Sequence, residues 1–104
     1  ADMNRMNNEG VSPVFIAAQT NNKECLELLL HAKADVDKAK KDGVTPVMAA
    51  SILNNESCLQ LLLRAQADFT QTWNGMSPLQ MAKHLGNTAC IKLLEGAEAK
   101  TGQK

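Results

Sequence analysis

Gly43-Val44-Thr45-Pro46-Val47-Met48-Ala49-Ala50 is the stretch on which the fold turns. Thr45 carries a hydroxyl able to accept from an exposed backbone N–H of a first helical turn. Pro46 follows where a missing N–H costs nothing and the fixed φ suits a helix. The run reads as loop, cap and helix. Working outward, the same pattern returns as Gly10-Val11-Ser12-Pro13 and Gly75-Met76-Ser77-Pro78, at steps of 33 and 32 residues. The rest keeps that frame. Ala17, Ala50 and Ala82 align, as do Asn22, Asn55 and Asn87, and Cys25, Cys58 and Cys90. The Leu-rich runs Leu26 to Leu30, Leu59 to Leu63 and Ile91 to Leu94 coincide. Three copies of one unit fill the chain.

Each unit reads as helix, turn, helix and extended loop. Asn21, Asn54 and Gly86 suit the left-handed conformation that closes a first helix. Asn22, Asn55 and Asn87 are then expected to cap the second. Cys25, Leu26, Leu29 and Leu30 recur at helical spacing, and Leu28 widens the stripe beyond one face. Helices this short are unstable alone, so neighbouring units must stack to bury both faces. The fold expected is an all-α solenoid of helix pairs with hairpin-like loops protruding from one side.

Composition agrees. The 104 residues include no Tyr, one Trp and two Phe, and they favour Leu and Ala, which suit closely packed helices. Eleven basic residues balance eleven acidic ones, so no field of one sign draws the chain to nucleic acid or an anionic surface. No apolar run approaches the ~20 residues of a membrane span. Neither nucleic acid, membrane nor small-molecule substrate is expected as a partner.

Gly43-Val44-Thr45-Pro46-Val47-Met48-Ala49-Ala50 resembles the ankyrin signature, in which a Thr-Pro-Leu-His run leads into an Ala pair. Leu61-Leu62-Leu63-Arg64-Ala65-Gln66-Ala67-Asp68 resembles its second-helix ending. The resemblance extends from residue 1 to about residue 101. It departs from the family at Phe15, Met48 and Gln80, which replace His, and at Lys33, Gln66 and Glu98, which replace a Gly before Ala-Asp. Either those three sit in a left-handed conformation at a cost of about 1–2 kcal/mol each, or the loop bends differently.

The frame divides the chain into residues 1–9, the end of a truncated preceding repeat, and repeats at 10–42, 43–74 and 75–104. Ala1-Asp2-Met3-Asn4 aligns with Ala34-Asp35-Val36-Asp37, which predicts that the chain opens inside a repeat. Lys83 and Glu95 replace the Ala18/Ser51 and Leu30/Leu63 of the earlier copies, which predicts a wet outer face on the last repeat, a C-terminal cap followed by a short tail.

Candidates for chemistry are sparse. Cys25, Cys58 and Cys90 share one helical slot about 8–10 Å from the next, beyond disulfide reach, and no zinc-type spacing occurs. They are expected as buried structural thiols in a reducing, intracellular compartment, cytoplasm or nucleus. His31 and His84 lie at different repeat positions without a catalytic partner, and no phosphate loop is present. No enzyme activity, cofactor or metal is expected. Glu9, Lys38, Lys40, Lys41 and Asp42 are solvated turn residues or the rim of a binding face.

The resemblance implies a protein partner met by the loop tips and the inner side of the first helices. The matching positions are Val11, Val44 and Met76; then Gln19-Thr20, Ile52-Leu53 and His84-Leu85; then Lys41-Asp42 and Trp73-Asn74. The first copy is polar at its helix end and the next two are not, so Ile52, Leu53, Leu85, Met76 and Trp73 would form an apolar patch suited to binding. Leu53 and Leu85 could instead pack between repeats, and Trp73 could fold inward on Phe69 or contribute to an aromatic cage. A scaffold or adaptor that binds in trans is the first functional reading. An intramolecular regulatory or spacer segment of a larger protein is the second.

Overall fold

The computed structural model describes residues 11–39 and 42–102. Expectations on residues 1–9, Gly10, Lys40 and Lys41 lie outside them. Six helices follow in order: α1 Pro13–Thr20, α2 Lys23–His31, α3 Pro46–Leu53, α4 Glu56–Arg64, α5 Pro78–Leu85 and α6 Thr88–Gly102. They form three pairs in two layers, with α3 between α1 and α5 and α4 between α2 and α6. Among the described residues, helices of the first pair make no contact with those of the third.

Local chemistry places the first helix of each pair. Ser12, Thr45 and Ser77 accept from the backbone N–H of Phe15, Met48 and Gln80, and Pro opens each helix. Two of the positions that depart from the ankyrin His complete these caps. The Thr45 N–H donates to Met48 Sδ at 3.4 Å and the Ser77 N–H to Gln80 Oε1 at 2.9 Å. Phe15 has no acceptor to offer and is buried in the core. Asn21, Asn54 and Gly86 close these helices with φ of 56°, 58° and 72°.

The second helices follow expectation only in part. Asn22 does cap α2, accepting from the Cys25 N–H at 3.1 Å. Asn55 makes no side-chain cap. Its amide crosses the seam to α1, and that of Asn87 crosses likewise to α3. The helix packed alongside offers end carbonyls without intrahelical partners, and the amide NH2 donates to them. Lys33 and Gln66 adopt the left-handed conformation, with φ of 63° and 67°. Glu98 does not, because α6 runs on through it to Gly102.

The main core lies between the layers, with Val14, Leu26, Val47, Leu59, Leu62 and Leu94 fully buried. Cys58 and Cys90 are buried in it, their thiols donating to the carbonyls of Ala17 and Ala50. Cys25 is exposed, contrary to the expectation of three buried thiols. Its slot is covered only by a preceding helix pair, and among the described residues no helix precedes α1. Lys83 and Glu95 pair at 3.7 Å on the exposed side of the third pair, a contact of little energy at such accessibility.

Candidate functional site

A second apolar cluster lies on the side of the first helices and loops. Val11, Phe15, Val44, Met48, Ala49 and Met81 form its buried part, with Ile52, Trp73 and Met76 packed against it. Val11 and Val44 were expected on the exposed binding face. They are only 6% and 8% accessible. Both valines turn inward, and their branched side chains join the second cluster, whereas Met76 in the third copy is only half-buried.

Trp73 does not fold inward on Phe69 but stays with the loop-side residues. Its indole Nε1 donates to the Asp42 carbonyl at 2.9 Å, and its ring lies beside Gly43, where an added Cβ would stand 3.6 Å from Cδ1. It joins this second cluster, whereas Phe69 packs on the main core. Trp73 and Met76 exchange backbone hydrogen bonds of 3.0 and 3.1 Å. Between them Asn74 and Gly75 both have positive φ, 53° and 78°, the geometry of a two-residue hairpin turn for which Asn-Gly is the preferred pair. The indole thus ties one loop tip to the previous one. Asp42 contributes its carbonyl to that tie, and its carboxylate accepts from the Val44 N–H at 3.1 Å.

Above this tie opens an apolar groove of about 230 Å³. Ile52 from the end of α3 forms one wall and Met81, His84 and Leu85 of α5 form the other. Trp73, Asn74 and Met76 of the hairpin close it. Five of the ten residues predicted from sequence meet here: Ile52, Trp73, Met76, His84 and Leu85. Leu85 is 51% accessible; Leu53, 50% accessible, is exposed at the end of α3 but does not line the groove. Lys41 lies outside the described residues. Asn74, one of the matching loop positions, lines the groove as well, and Met81 was missed. The Asn74-Gly75 dipeptide was a readable hairpin signal, whereas Met81 occupies an ordinary inward helical position.

Among the described residues, no three His, Cys, Asp or Glu side chains gather where they could hold a metal. None of their helices is long and apolar enough to cross a membrane.

The family follows from the repeat and its geometry. A model of ankyrin repeats (3 copies) matches residues 1–73, more than half of the 104 residues, and the chain belongs to the ankyrin-repeat family. Such repeats are generally protein–protein interaction modules and typically non-catalytic. No curated protein matches the chain significantly. The α5–α6 pair falls outside the matched span, yet it carries the same hydroxyl cap followed by Pro, and the same left-handed helix end, as the two pairs before it.

Proposed function

We propose that the chain is a non-catalytic scaffold or adaptor, and that the groove between the end of α3, α5 and the Trp73 hairpin receives apolar side chains of a partner protein. One observation carries this reading: an open groove with apolar walls, with Leu85 half accessible beside it. Its volume lies below the roughly 300–1,000 Å³ of sites that enclose small ligands, which favours an inserted side chain or two over a cofactor. Apolar anchors entering such pockets dominate protein-interface energetics.

Residues 10–42, 43–74 and 75–104 act as successive repeats in this reading, and Val11 and Val44 support the face from beneath. The free thiols accord with a reducing intracellular compartment. The test is capture from cell extract by the immobilised chain, with Leu85→Glu and Ile52→Glu compared against wild type after circular dichroism confirms folding. A protein held by wild type and released by Leu85→Glu is the expected result. Capture indifferent to both changes overturns the assignment of this groove.

A further inference from the structure

We propose that the opposite side of the molecule, the trough between α4 and α6, binds an acidic amphipathic segment of a partner protein. The trough measures about 800 Å³. Leu63, Phe69, Leu93 and Ala97 form a half-buried apolar floor. Arg64, Lys92 and Lys100 stand around it, and among the described residues no carboxylate lines it. The chain as a whole has no net charge, so this is a local segregation of cations.

The repeat itself does not require the feature. Stepping back by the repeat interval, Lys92 corresponds to Gln60 and Glu27, and Gly96 to Arg64 and His31. The third copy therefore places a cation where the first has an acid, and no side chain where the others have long ones. A Cβ at Gly96 would meet nothing within 4 Å, so the space is open. Lys100 enters the trough because α6 runs on to Gly102 where α4 stops at Arg64. Residues 92, 93, 96, 97 and 100 share one side of α6, following helical periodicity. Glu95, by contrast, pairs with Lys83 and does not line the trough.

The chemistry selects the occupant. An amphipathic helix laid in a groove puts its apolar face on the floor and its charged flank on the rim, and three cations call for carboxylates. Non-specific nucleic acid binding draws its affinity from cations on phosphates and leaves an apolar floor unused. A bilayer surface needs protruding apolar side chains, whereas these are recessed.

The experiment uses the full chain on an array of 15-residue peptides with Leu at helical spacing and Glu, Ser or Lys at every other position. The Glu series should be retained at least tenfold above the Ser series, and the Lys series not at all. Retention should weaken at high salt. Lys92→Glu and Gly96→Leu should each lower it about tenfold or more, while Gly96→Ala and Leu85→Glu leave it unchanged. The proposal fails if the Glu series is not preferred, or if both α6 changes leave retention intact. Duplex DNA and phosphatidylserine vesicles serve as parallel probes. If either binds with the same sensitivity to Lys92→Glu and the Glu peptides do not, the occupant has been misassigned. Because Leu85→Glu is silent here, this result stands or falls apart from the groove on the other side.

Discussion

The side-chain amide of Asn87 reaches across to the preceding helix pair and donates to the carbonyls of Ser51, at 2.7 Å, and Ile52, at 3.0 Å. Asn55 does the same to Ala18, at 2.7 Å, and Gln19, at 3.1 Å. These carbonyls belong to the last turns of α3 and α1, where no intrahelical N–H is available. One amide thus finishes its neighbour's helix and joins two pairs.

Asn87→Ala should therefore cost about 1–3 kcal/mol, the penalty for leaving part-buried polar groups unpaired. Asn22→Ala, which loses only a local cap, should cost about 1 kcal/mol. Asn87→Asp should be worse than Asn87→Ala, since a carboxylate would face two carbonyl oxygens. Urea unfolding followed by circular dichroism ranks the three. An Asn22 change as costly as the Asn87 changes would refute the distinction.

The three thiols should differ in reactivity. Burial pushes the Cys58 thiol up, with nearby Cys25 and Glu24 adding to the shift, and burial beside Glu56 pushes Cys90 up to about 11. Only a thiolate attacks an alkylating agent. Iodoacetamide at pH 8 should label Cys25 alone in the native protein, and all three thiols in denaturant, as read by mass spectrometry. A raised folded pKa means stability that is intact below the ordinary thiol range and lost as pH rises through about 11. Cys90→Ala should lessen that alkaline loss.

Two backbone substitutions should stabilise the fold. Gln66 holds φ of 67°, a strain of about 1–2 kcal/mol for a side-chain-bearing residue. Gln66→Gly relieves it at an unfolded-state cost of about 0.4–1 kcal/mol. Gly96→Ala adds a methyl group to open space in a helix interior and should gain about 0.5–1 kcal/mol. Thermal melts of both variants check this; a lower midpoint for either contradicts the geometry.

Asp68 should be the acid-sensitive point of its loop. Hydrogen bonds from the Thr70 hydroxyl and backbone N–H hold its carboxyl below the usual range. A depressed folded pKa contributes stability that is present above the unfolded value and lost as pH falls through the folded one. Thr70→Val should raise the Asp68 midpoint, measured by NMR titration of the carboxyl carbon. No movement would show that the bonds do not form in solution.

What could be read in advance follows the range of the interactions. The caps at Ser12, Thr45 and Ser77 and the turns at Asn21, Asn54 and Gly86 rest on hydrogen bonds three to five residues long, so residue type sufficed. The roles of Asn55 and Asn87 depend on carbonyls of another helix, and nothing local distinguishes them from Asn22. Val11 and Val44 were misplaced for the same reason: whether a loop valine points in or out is decided by what lies beneath it. Half of the predicted binding residues do meet in one groove, because Ile52, His84 and Leu85 occupy related helix-end positions in adjoining copies. The trough was invisible to a search for repetition, since Gly96 and Lys100 matter by breaking the pattern.

The absence of contact between the first and third pairs, among the described residues, has a mechanical meaning. Stretched along its stacking direction, the described part has no brace spanning its length, so each seam bears the whole tension. The junction that yields first lets its end pair peel away while the remaining two keep their grip, and the force required reports one interface at a time.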